Sequence, residues 1–170
     1  KGILLNNSGT EINNVLIEGN YWSGISMYYS FPIIKNSIIQ NNGSTNESFS
    51  TSIESFSSNS QFINTSIVDN IGDILISDES NAVFINSTIV NGGGFWMTDE
   101  SSMNMVNSIV WNNMSQNSQF SQVDISYSDI QGGWDGEGNI NNDPMFVDSD
   151  NGIYLLMSES PCIDGGTSDL

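Results

Sequence analysis

The chain has 170 residues, 37% of them hydrophobic, and a net charge of −18, because twenty acids face only Lys1 and Lys35 and there is no Arg or His. Nucleic-acid affinity comes largely from Lys and Arg contacts to phosphate, so DNA and RNA are excluded as partners, and docking on anionic membrane is disfavoured on the same ground. Asn, Ser, Gly and Asp are abundant, yet the apolar residues are β-branched or aromatic and recur at fixed intervals. Disordered chains lack that pattern, so the sequence is expected to fold, as a single domain over residues 1–170.

In chain order, Lys1-Gly-Ile-Leu-Leu-Asn-Asn7 opens as though already inside a repeat, which suits a piece of a longer protein. One short phrase then runs through the chain. It occurs as Ile12-Asn-Asn-Val-Leu-Ile17, Ile34-Lys-Asn-Ser-Ile-Ile39, Ile63-Asn-Thr-Ser-Ile-Val68, Ile85-Asn-Ser-Thr-Ile-Val90, Met105-Val-Asn-Ser-Ile-Val110 and Ile125-Ser-Tyr-Ser-Asp-Ile130. Successive first residues are 22, 29, 22, 20 and 20 apart, and Met145 extends the series 20 later. A period this short is one coil of a β-solenoid. The expected architecture is all-β, about seven coils of 20–22 residues with one longer, stacked at ~4.8 Å per coil into a rod of about 35 Å.

Within a phrase, Ile85, Ser87 and Ile89 share a strand face if the strand runs straight; a bend inside the phrase is equally open. Asn41, Asn70, Gly92, Asn112 and Gly132 suit corners, because both residue types tolerate left-handed backbone. A second ladder, Ile25, Ile53, Ile74 and Phe95, lies about ten residues downstream, each followed two positions on by Met27, Ser55, Ile76 or Met97. Both periods lengthen across Asn41–Thr51, so Asn41-Asn-Gly-Ser-Thr-Asn-Glu-Ser48 reads as an inserted outer loop. The second ladder fades after Met97, and 114–119 reads as irregular. No apolar run is long enough to span a bilayer, so no membrane insertion is expected.

The closing segment is the more specific part. Ile125-Ser-Tyr-Ser-Asp-Ile-Gln-Gly-Gly-Trp134, Gly136-Glu-Gly-Asn-Ile-Asn-Asn-Asp-Pro-Met-Phe-Val-Asp148 and Ser160-Pro-Cys-Ile-Asp-Gly-Gly166, together with the coil phrases, resemble the right-handed parallel β-helix proteins of the pectate-lyase-like superfamily. The closing segment is similar to the last coils of secreted bacterial surface proteins with a choice-of-anchor type β-helix domain. The resemblance implies an extracellular or cell-surface location and carbohydrate-related partners. Many relatives carry a Cys where Asp129 stands, positioned to pair with the counterpart of Cys162; here Cys162 is expected to be a free, buried thiol. Asp129 occupies the ladder position of Leu16, Ile38, Ile67, Ile89 and Ile109. Either the strand slips so that Ile130 points inward, or an acid sits near the core.

Lyases of the resembled superfamily use a Lys or Arg base with a cation, and this chain offers only Lys1 and Lys35; its charge also repels acidic polysaccharides. A glycosidase needs two carboxyls, one with a raised pKa, and Asp78, Asp99 and Glu100 recur one coil apart. Their simpler reading is a pair of acidic turns. Asp148 and Asp150, and Asp135 and Glu137, space oxygen ligands along Gly-containing loops in a way calcium would accept, without the distal Glu of a full calcium loop. Trp96, Trp111, Trp134 and Tyr28 fall outward or at corners, where flat rings stack on sugar faces; Glu54 and Leu75 interrupt any stripe through Trp96. These residues lean away from catalysis. The expected role is a non-catalytic, surface-displayed rod that binds a polysaccharide or cell-surface glycan, with end-to-end self-association open to it. A polysaccharide-active lyase or hydrolase working through acids or through coils outside this sequence is the alternative, and a plain stalk the third.

Overall fold

The structure is a computed structural model of the chain and describes residues 1–46, 50–113, 115–118 and 122–169, with the side chains of 115–118 excepted. Three six-stranded sheets wrap one core. The first sheet stacks Ile3–Asn6, Ile25–Tyr28, Thr51–Phe56, Asp73–Ser77, Gly94–Met97 and Ser115–Ser118. The second stacks Glu11–Asn13, Ile33–Lys35, Asn59–Ile63, Asn81–Ile85, Ser102–Val106 and Gln122–Ser126. The third stacks Leu16–Glu18, Ile38–Gln40, Ser66–Val68, Thr88–Val90, Ile109–Trp111 and Asp129–Ile130. Neighbours in each sheet are parallel and one coil apart in sequence, which defines a parallel β-helix of six rungs.

The coil count is therefore lower than the seven expected, because Met145 does not start another rung. It leads instead into an antiparallel ribbon of Phe146–Asp148 and Ile153–Leu156. Beyond the sixth rung the chain makes only a partial turn. Tyr127 N–H donates to Glu137 O, Ile130 N–H to Ile140 O, and Ser128 N–H to Asn139 Oδ1, so residues 137–141 cover the last strand edges. Gly136 is required there: a Cβ would lie 2.0 Å from the Ile125 carbonyl oxygen.

The phrase bends between the second and third sheets. Asn14, Asn36, Asn64, Asn86, Asn107 and Tyr127 hold positive φ at that corner. The bend moves the register of the expected ladder by one residue. Phe62 and Phe84, not Ile63 and Ile85, stack with Ile12, Ile34, Met105 and Ile125 in the core, while Ile63 and Ile85 align with Val106 outside. In the third sheet Ile17, Ile39, Ile67, Ile89, Val110 and Ile130 point inward and Leu16 and Ile38 outward. The Ile25–Ile53–Ile74–Phe95 ladder is as expected, and Ile3 extends it by one rung. It does not end at Met97 in backbone terms, since Ser115–Ser118 pairs on the next rung. The insertion lies between Gln40 and Thr51; its Glu47 and Ser48 fall outside the described residues.

Hydroxyls and amides explain the low apolar share, because they pair the backbone at the corners. Ser30, Ser58 and Ser80 accept the N–H of Ser8, Ser30 and Ser58, each from the rung before. Ser37, Ser87, Ser108 and Ser128 do the same at the next corner for Val15, Thr65, Ser87 and Ser108. At the third corner the fully buried Asn42 accepts Asn20 N–H at 3.1 Å and donates to Ile17 O at 3.0 Å. It also donates to Asn70 Oδ1, at 3.1 Å. Asn42→Ala removes the acceptor of Asn20 N–H and a donor to Ile17 O, and an interior polar group left unpaired costs about 1–3 kcal/mol, so urea unfolding is expected to show a loss of about 3 kcal/mol. A loss under about 1 kcal/mol would mean that the ladder is not structural.

Candidate functional site

The outward face of the first sheet is the most built surface on the rod. Side chains alternate along each strand, so Leu4, Ser26, Glu54, Leu75 and Trp96 form one outward column and Asn6, Tyr28 and Phe56 another. Tyr28 and Phe56 sit on adjacent rungs and stack, with ring centroids 5.2 Å apart and planes at 6°. Lys1 Nζ lies 5.4 Å from the Tyr28 centroid and donates to Glu54 Oε2 at 2.7 Å. Glu54 also accepts from Ser26 at 2.8 Å and from Thr51 at 2.8 Å. Burial by itself would raise the Glu54 pKa, but hydrogen bonds from Lys1, Ser26 and Thr51 outweigh it and hold the carboxyl below its usual range. Lys1 is shifted upward: desolvation opposes its charge, and the Glu54 and Tyr28 contacts more than offset this. The result is an apolar ring pair bordered by a fixed carboxylate, an ammonium and two hydroxyls.

The expected aromatic residues do not gather at one place. Tyr28 and Trp96 share this face three rungs apart, roughly 14 Å at ~4.8 Å per rung. Trp111 lies on the third sheet, beside a cleft of about 410 Å³ whose lining includes Asn112, Asp143, Met145 and Phe146. Trp134 is half-buried and packs against the core at the C-terminal end, so it closes the rod. Glu54 and Leu75 do interrupt the Trp96 column. Sequence patterning does not single out Phe56, although it comes after Tyr28 by the same 28 residues that separate Ile25 from Ile53.

The acidic turns do meet. Asp78, Glu79, Asp99 and Glu100, with Ser57 and Asn59, line an open cleft of about 630 Å³, and all four acids hold positive φ. Asp99 accepts from Ser77 at 2.8 Å and Thr98 at 2.9 Å, and these bonds draw its pKa down. A general acid needs the opposite shift. Among the described residues no three acids or thiols converge as a metal site. Asp148 accepts both Nδ2 bonds of Asn151 over the short 3₁₀ turn Ser149–Asn151, with Asp150 exposed beside it. Asp135 lines a separate end cleft with Trp134, and the Glu137 carbonyl oxygen accepts from Tyr127 N–H.

Asp129 resolves both ways at once. Ile130 points into the core without any strand slip, and Asp129, in the outward column, is nevertheless buried because the C-terminal segment covers it. Its Oδ1 accepts Asn142 N–H at 3.1 Å, and its Oδ2 lies 3.1 Å from the free thiol of Cys162, which is half-buried. Burial is the first cause of a raised Asp129 pKa, and burial together with the Asp129 contact pushes Cys162 up to about 12.

With sheets, corners and outer faces in place, the molecule is a parallel β-helix whose distinguishing features lie on its outer surfaces. The chain matches the right-handed β-helix region family over residues 1–167 and belongs to it. No curated protein and no solved structure matches it. No helix among the described residues is long and apolar enough to cross a membrane.

Proposed function

We propose that this chain is a non-catalytic binding rod of a secreted or surface-attached protein, and that it holds an uncharged polysaccharide against the outward face of the first sheet. The observation that carries this reading is the parallel Tyr28–Phe56 pair with Glu54 and Lys1 at its border. A pyranose presents apolar C–H groups and a rim of hydroxyls, and the edges of the stacked pair, bordered by a carboxylate and an ammonium, offer apolar contact and hydrogen-bond partners to match them. An acidic polymer would meet the −18 charge and be repelled. The carboxylate-hydrolase alternative loses Asp99 as its general acid, since the hydroxyl donors draw that carboxyl's pKa down.

Affinity electrophoresis through gels containing neutral polysaccharides tests the reading. Retardation of the wild type is expected, with Phe56→Ala weakening binding about tenfold, the equivalent of about 1.4 kcal/mol. Trp111→Ala, on another sheet, is expected to bind as the wild type does. Equal retardation of the wild type and Phe56→Ala, or no retardation by any neutral polymer, would overturn it.

A further inference from the structure

The C-terminal ribbon presents a second surface, unrelated to the sugar-binding face. One side of it is fastened to the rod. Tyr154 donates its hydroxyl to Asp69 and accepts from Asn91 Nδ2 at 2.7 Å, while its ring packs edge-on against Phe146 at 5.3 Å. Ile153 and Leu155 alternate with Tyr154 and Leu156 along their strand, Met157 follows just past its end, and Val147 lies on the facing strand where the register shifts between Phe146 and Asp148; all four are exposed, Leu155 at 70%. This apolar row lies on a ribbon fastened from behind and stays exposed to solvent, most of all at Leu155.

Its surroundings select the kind of partner. Asp143, Asp148, Asp150 and Glu159 belong to the same segment, and the chain's two cations are far off in the first coils, where Lys1 pairs with Glu54 and Lys35 with Glu11. A second copy would bring the same −18 charge to the contact and be repelled. Met157 carries the apolar row into the cleft beside Trp111, where Asp143 and Phe146 also line the wall. An indole face with a carboxylate nearby is a receptor for an ammonium or guanidinium group. The apolar residues recur every second position, which an extended strand matches and a helix does not. We infer that this face docks an extended, cationic polypeptide segment in which apolar side chains alternate with Lys or Arg.

Titration calorimetry with a synthetic peptide of alternating leucine and lysine, at low and at moderate salt, tests this. Saturable one-to-one binding is expected at both, falling at least tenfold in Leu155→Glu and in Trp111→Ala. Leu16→Glu, at another exposed apolar position at the other end of the rod (53% exposed), is expected to leave binding unchanged. Circular dichroism confirms that each variant is folded. Three results would overturn the inference: no binding, equal weakening by Leu155→Glu and Leu16→Glu (attraction by net charge alone), or peptide-free dimers in sedimentation that Leu155→Glu dissolves.

Discussion

Phe84→Ala is expected to cost about 4 kcal/mol of folding stability, while Ile85→Ala, one residue further on, costs less than about 1 kcal/mol. Phe84 is 0% exposed, stacks on Phe62 at 4.9 Å with planes at 10°, and meets Phe95 edge-on at 5.7 Å. Truncating it leaves a cavity at the middle of the column that joins neighbouring rungs, and repeat arrays depend on such contacts because no rung is stable by itself. Ile85 is outside, aligned with Ile63 and Val106. Chemical denaturation of the two variants side by side measures the difference. Equal losses would mean that the register is wrong.

That pair of residues also marks where the sequence could be read and where it could not. The period was legible because every rung repeats the same apolar spacing, so the stacked architecture and the inserted loop after Gln40 come from counting. The one-residue register was not legible in the third and fourth phrases. Phe62-Ile63 and Phe84-Ile85 are both apolar pairs, and either member fits a strand. The choice is made by the left-handed Asn two residues after the inward side chain, as at Asn64 after Phe62 and Asn86 after Phe84. The burial of Asp129 was illegible for a different reason: it depends on a segment ending near Cys162, 33 residues away, folding back over the outer face of the third sheet. On the candidate site, the outward placement of Trp96 was readable from alternation, whereas Tyr28 read only as lying near a corner. The Tyr28–Phe56 stack was not legible, because equal spacing aligns the two positions without showing that their rings lie parallel and in contact.

Asp129→Cys is expected to form a disulfide with Cys162 under mild oxidation and to raise stability by about 3.7 kcal/mol, the value for a closed loop of this length in the chain-entropy account. Asp129 and Cys162 are already in side-chain contact at 3.1 Å, and Asp129 is buried there at a raised pKa. The bridge would tie the closing segment to the last rung. Loss of both free thiols and a shift of the urea midpoint between oxidised and reduced protein measure it; thiols that stay reactive would contradict the contact. Asp129→Asn separates the charge from the geometry. A raised folded-state pKa means that the protonated acid is the better-tolerated form, so its stabilisation is present below the unfolded value of about 3.9 and is lost as pH rises through the folded value. The advantage of Asp129→Asn over the wild type is therefore expected to be absent at low pH and to grow across that window.

Cysteine pairing between rungs probes the winding itself, in a Cys162→Ser background. Ile85 and Val106 are aligned partners on neighbouring parallel strands, whose ~4.8 Å spacing falls within the Cα separation that a disulfide spans. Ile85→Cys with Val106→Cys is expected to cross-link readily under mild oxidation. Ile85→Cys with Met105→Cys is expected not to, because Met105 points into the core on the other side of the sheet. Cross-linking of the second pair in preference to the first, or of neither, would contradict the rung-by-rung stacking on which both binding faces depend.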